Sequence, residues 1–126
     1  MAFKLNFPET HNSDQENTNE VISSLNIVVK KLDEGIHAEA DRNGTTNVDT
    51  NVDLHSFEGK RALAHEHVHH KQMQDGELDY DNDYVFWKGI VFPRKTMNEG
   101  SDGLAWEWDA YNKEMDMFDR MFTKNA

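Results

Sequence analysis

Residues 65 to 69 read His-Glu-His-Val-His, and that spacing constrains the backbone before it suggests any chemistry. On an α-helix each residue turns about 100°, so His65 and His69 lie one turn apart on the same face and their imidazoles can meet. The flanks support a helix. Ser56 is placed to cap its start and Gly76 to close it after about Asp75, with Leu63, Ala64 and Val68 available for packing.

On such a helix both imidazoles can reach one ion. Glu66, rotated about 100° from His65, would hold its carboxylate beside that ion rather than on it. A zinc ion lowers the pKa of its water toward about 7, and Glu66 could take the proton as the water attacks a carbonyl. The competing reading is a solvated polar helix surface, which the apolar neighbours within the helix argue against. His67 and His70, about 200° and about 140° from His65, read as surface histidines rather than ligands. His11, His37 and His55 have no partner at ligand spacing, although His55 lies closest to the start of the helix.

The chain has no cysteine, so a zinc site must use histidine and carboxylate ligands. No histidine follows His70, which leaves a downstream carboxylate as third ligand, Glu107 or Glu99. A last helix is expected from a cap at Ser101 or Asp102 to about Phe122. On its wheel Leu104, Ala110, Tyr111, Phe118, Met121 and Phe122 all fall within about 60° of Glu107. A carboxylate in the middle of an apolar stripe is costly unless paired or metal-bound. Glu107 is therefore the first choice, a buried ion pair with Lys60 or Arg61 being its other explanation. Glu114 shares the stripe and could support the site or replace Glu107, while Asp109 should be solvated. Glu99, in Asn98-Glu99-Gly100-Ser101-Asp102, stays as the alternative on a looser segment.

Elsewhere the patterning predicts small elements. Phe3, Leu5 and Phe7 alternate with polar residues as in a short strand, and residues 8–18 read as a polar loop. Val21, Leu25, Val28 and Leu32 recur at helical spacing, capped at Thr18 or Asn19 and ended by Gly35, against a high β-branched content. Ile36–Ala40 and Val48–Leu54 alternate about Asn43-Gly44, a hairpin signal. Tyr84–Phe92 reads as one strand, in which Gly89 marks a bulge or a close approach. The expected architecture is α+β: one domain over 1–126, with a small, mainly antiparallel sheet packed against the histidine-bearing helix and a C-terminal helix.

With 24 acidic and 13 basic residues among 126, the formal charge is −11, which repels nucleic-acid phosphates and anionic lipids. No apolar run approaches a membrane span, and the start MAFKLNF lacks a signal peptide's apolar core, so a cytoplasmic location is expected.

The sequence resembles the gluzincins, zinc peptidases with H-E-x-x-H on one helix and a glutamate ligand on a later one. More narrowly it resembles small phage and bacterial metallopeptidases. The likeness rests on Ala64-His65-Glu66-His67-Val68-His69-His70-Lys71-Gln72, then Gly76-Glu77-Leu78, Trp87-Lys88-Gly89 and Trp106-Glu107-Trp108-Asp109-Ala110-Tyr111. It covers about residues 57 to 115, and departs from the pattern where Ala105 replaces a proline common before the tryptophan.

The resemblance implies a minimal zincin-like catalytic domain, with His65, His69 and Glu107 as Zn2+ ligands and Glu66 as general base. Its substrate would be a peptide or protein. Tyr111, Tyr84 and Tyr80 are candidate oxyanion donors, Tyr111 being preferred because it shares a helix face with Glu107. Trp87, Trp106 and Trp108 are expected in packing. Two other functions compete: a zinc-binding interaction protein that does not cleave, and an acidic decoy for a basic partner.

Overall fold

The computed structural model describes residues 18–123, so the expected strand at Phe3–Phe7, most of the polar loop and His11 lie outside the described residues. Residues 18–24 are helical (α1), and Thr18 already lies in the helix. The helix expected to run to Gly35 stops there. Ile27–Lys30 is instead a strand, β1, paired in parallel with β3 (Thr46–Asp49) in the register Ile27↔Thr46 to Lys30↔Asp49. The β-branched run Ile27-Val28-Val29 prefers a pleated surface, and a distant partner strand supplies the ladder that sequence periodicity cannot reveal. Gly35, at φ 87°, serves a turn in which the Ile36 N–H bonds the Asp33 carbonyl.

The hairpin forms as expected, with β2 at Ala38–Ala40 opposite β3. The Asp41–Gly44 turn places only Gly44 at positive φ, and Asp41 and Thr45 close the loop. β3 is shorter than the alternation suggests. It ends at Asp49, whose carboxylate accepts the N–H groups of Leu32 and Asn51, leaving Val52 and Leu54 to pack from the following loop. The first sheet therefore has the order β1-β3-β2 and mixed pairing.

Helix α2 spans Phe57–Gln74. The Ser56 hydroxyl accepts the Gly59 N–H at 2.9 Å, and Gly76 at φ 78° lets the Glu77 N–H return to the Gln72 carbonyl. A second sheet follows, β4 (Leu78–Tyr80), β5 (Tyr84–Trp87) and β6 (Ile90–Pro93), an antiparallel meander. The single strand expected over Tyr84–Phe92 is thus a hairpin. Lys88 and Gly89 both take positive φ, 49° and 84°, so Gly89 makes a two-residue turn rather than a bulge. A single small sheet is likewise replaced by two.

After a 3-10 turn at Arg94–Thr96, helix α3 spans Ala105–Phe122. Its N-cap position is Leu104, without a side-chain cap; Ser101, expected there, instead accepts the Gly103 N–H on its hydroxyl. The α+β class stands. Among the described residues no helix is long and apolar enough to cross a membrane.

Three apolar clusters join these parts. Ala64 and Ala110, both fully buried, pack with Val68 and Met117 where α2 meets α3. Val48 and Leu63 fasten the first sheet to α2, with Phe122 of α3 in the same cluster. Leu78, Val85, Trp87 and Trp106 tie the second sheet to the start of α3. Trp87 and Trp106 pack as expected. Trp108 does not, being 61% exposed.

Gly59 is required by contact rather than by conformation, since a Cβ there would lie 2.0 Å from the Asp53 carbonyl oxygen. Gly59→Ala should cost about 1–3 kcal/mol or more through overpacking. Thermal unfolding should show a Tm lower by several degrees, and an unchanged Tm would mean that α2 does not press on residues 53–54.

Candidate metal centre

Three side chains from two helices converge. Glu107 Oε1, from the first turn of α3, lies 2.8 Å from His65 Nε2 and 3.0 Å from His69 Nε2, both on α2. The close approach of the helices at Ala64 and Ala110 is what allows side chains of this length to meet. All three are largely buried.

The outer nitrogens of the imidazoles are also engaged. His65 Nδ1–H donates to Glu114 Oε1 at 2.8 Å, and Glu114 accepts a short bond from Arg61 Nε. His69 Nδ1–H donates to Gln72 Oε1 at 2.8 Å. With both Nδ1 atoms donating, a neutral imidazole can present only a lone pair at Nε2. An ionised Glu107 also offers only lone pairs. Three acceptors therefore face one another, and a positive charge must sit among them, as protons or as a metal ion.

Protonation follows this logic. Burial pulls the His69 imidazole down, but its bond to Glu107 and the charges of Glu66 and Glu107 outweigh that and hold it up to about 9. Burial opposes a charge on His65 too, but its bonds to Glu107 and Glu114 and the charge of Glu66 raise it. Burial would raise Glu107, yet the two imidazoles hold it down to about 2. The donor set suits a divalent cation equally well: two nitrogens and one oxygen, all within 4.8 Å of one another. Tetrahedral ligands at ~2.0–2.1 Å from zinc stand roughly 3.3 Å apart, so the two contacts to Glu107 need lengthen by only a few tenths of an ångström.

Glu66 sits beside this group and is only 8% exposed. Its carboxylate makes no hydrogen bond among the described residues, and burial raises its pKa against the pull of His69 and His65. It lines a cleft of about 1080 Å³ together with His65, His69, Glu107 and Tyr111. Residues Ala38–Ala40 of β2, an edge strand, also line it. Backbone bonds at His37–Asp49 and Asp41–Thr45 fix the alternation, so Ala38 and Ala40 turn their N–H and C=O groups away from β3. Tyr80 OH takes the Ala40 carbonyl, leaving the amide groups of Ala38.

The remaining candidates separate. Glu99 pairs with Arg94 at 2.7 Å, 52% exposed, and does not join the histidines; Glu107 does. Arg61 pairs with Glu114 rather than Glu107. Tyr111 stacks on His65 with ring centroids 4.4 Å apart, and its hydroxyl donates to the Gly100 carbonyl at 3.2 Å. Tyr80 is held by Arg42, Asp41 and Ala40, and Tyr84 is exposed away from the cluster. His67 is half-buried, and His55 bonds Asn19.

His70 corrects the helix wheel. It is buried, with Nε2 2.9 Å from Thr46 Oγ1, because the first sheet covers that side of α2. Asp109, expected in solvent, accepts from Gln72 and Lys113. Gln72 was not singled out by sequence, although its place three residues after His69 puts it on the same helix face.

No family model, curated protein or solved structure matches the chain.

The raised imidazole gives a pH signature. In the metal-free protein, the stability from protonated His69 is fully present below its ordinary 6.5 and is lost as pH rises through about 9. The share from Glu107 is present above its ordinary 4.5 and is lost as pH falls through about 2. A metal ion must displace the His69 proton, and the His65 proton where that is bound, so its apparent affinity should tighten by at least about tenfold per pH unit from pH 6.5 to 8.5. Isothermal titration with zinc in buffers of different ionisation enthalpy measures this. An affinity flat across that range would remove the imidazoles from the binding reaction.

Proposed function

We propose that the chain is a zinc-dependent hydrolase, a minimal gluzincin-type peptidase with a zincin-like arrangement of helices and edge strand. The observation that carries this reading is the convergence of His65, His69 and Glu107 beside a buried Glu66 whose carboxylate makes no hydrogen bond among the described residues. Nitrogen and oxygen donors in this number favour zinc, three protein ligands leaving one position open. Zinc bound there would supply Lewis acidity, lowering the pKa of a coordinated water toward about 7 and polarising a substrate carbonyl.

The chain's own residues do the rest. Glu66 receives the proton of the attacking water. Its burial raises the carboxylate toward neutrality, which suits a group that must first accept a proton and then return it to the leaving amine. Glu114 and Gln72 hold the two imidazoles by their outer nitrogens, keeping both Nε2 atoms inward. The outward amide groups of Ala38 can pair with an extended peptide, main chain to main chain, placing a carbonyl in the cleft. Tyr111 is the nearest candidate for an oxyanion donor, and to act its hydroxyl must release the Gly100 carbonyl.

Glu66→Gln should bind zinc as the parent does and lose hydrolysis of a casein or mixed-peptide substrate by at least about 10³-fold. Cleavage retained by that variant would defeat the assignment of the base. A parent chain that binds zinc, melts higher with it and cuts no peptide would leave a non-cleaving zinc protein. Tyr111→Phe should lower kcat by about 10²-fold with KM little changed if the hydroxyl reaches the oxyanion. A kcat equal to the parent's would restrict Tyr111 to stacking on His65.

A further inference from the structure

The side chain of Gln72 is 2% exposed and uses every polar atom it has. Its Nε2 donates to the Trp106 carbonyl at 3.1 Å and to Asp109 Oδ2 at 2.9 Å, while its Oε1 accepts from His69 Nδ1 at 2.8 Å. A carbonyl and a carboxylate can only accept, so the amide has one permitted orientation, with its NH₂ toward α3 and its oxygen toward His69. That oxygen in turn can only accept, which keeps a proton on His69 Nδ1 and, in the neutral imidazole, leaves the Nε2 lone pair facing Glu107. The two acceptors on α3 bracket the candidate ligand: Trp106 precedes Glu107 and Asp109 follows it by two positions.

We propose that Gln72 is a positioning residue that sets the tautomer of His69 and clamps it to the turn of α3 carrying Glu107. The inference rests on the metal-centre reading above. The two histidines are held differently: His65 by the carboxylate of Glu114, itself tied to Arg61, and His69 by a neutral amide that also grips the opposite helix. A carboxylate at position 72 would still accept from His69. Its other oxygen would face two acceptors with no proton between them, so the link to α3 would break. An amide is needed where an acceptor alone would satisfy the histidine.

The test uses the full chain without a histidine tag and three readouts: zinc affinity by chelator competition, the visible spectrum of the cobalt(II) form, and the metal-free Tm. Gln72→Ala and Gln72→Glu should each weaken zinc by about 10–100-fold and change the cobalt bands. Gln72→Glu with Asp109→Asn exchanges donor and acceptor at position 109 while the Trp106 carbonyl loses its donor, and should recover part of the lost affinity. Should the single variants fail to fold, this exchanged pair and Asp109→Ala carry the test, the latter with a smaller loss of affinity. Parental zinc affinity and cobalt spectrum in Gln72→Ala or Asp109→Ala, with only the metal-free Tm lowered, would reduce Gln72 to a packing contact and overturn the proposal. A parent chain that binds no zinc would remove the metal centre itself, whereas a parent that binds while the Gln72 variants match it would remove only this inference.

Discussion

Three lone pairs meet where α2 crosses α3, and they cannot remain together without a positive charge among them. Glu107 Oε1 stands within 3.0 Å of both imidazole nitrogens, and the outer nitrogen of each histidine is already committed as a donor. In the metal-free protein protons meet this demand, which is why His69 is held up to about 9 and Glu107 down to about 2. A divalent cation would meet it with less crowding and leave the imidazoles neutral. Much of the surrounding structure keeps these acceptors aimed at one point.

The helices achieve this through small residues and polar clasps. Ala64 and Ala110 remove side-chain bulk from the crossing, so His65, His69 and Glu107 can touch from opposite helices. Below that contact, Glu114 and Arg61 form a charged clasp on His65; above it, Gln72 forms a neutral one on His69. The first sheet closes the far side of α2, burying His70 against Thr46 and fixing how the helix is rotated. The second sheet seats Trp106, the residue before Glu107, against Trp87 and so sets where α3 begins. Loss of packing at either sheet would therefore pull His65, His69 and Glu107 apart.

The site was more legible in the sequence than the fold. His65 and His69 follow from a spacing that has a mechanical meaning only on a helix, and Glu107 from the anomaly of a carboxylate in an apolar stripe. Glu114 stood out for the same reason. Gln72 escaped because an amide on a polar helix carries no anomaly; only the position of α3 shows what it holds. His70 and Asp109 were misjudged because a helical wheel does not know which neighbour covers each face. Among the elements, α3 carried an apolar stripe and α2 a cap, a closing glycine and the histidine spacing, and both were found. The strand at Ile27–Lys30 depends on a parallel partner far along the chain, which local periodicity cannot register. The hairpin at Lys88-Gly89 was hidden because a lysine at positive φ is an unusual turn residue, so apolar runs on either side merged into one.

The central claim is that His65, His69 and Glu107 close on one cation. Crystals of the untagged protein grown with stoichiometric zinc, with diffraction recorded above and below the zinc absorption edge, test it most directly. A single anomalous peak is expected, about 2.0–2.2 Å from His65 Nε2, His69 Nε2 and a Glu107 carboxylate oxygen. Zinc found elsewhere on the chain, with His65 and His69 still bonded directly to Glu107, would contradict the account.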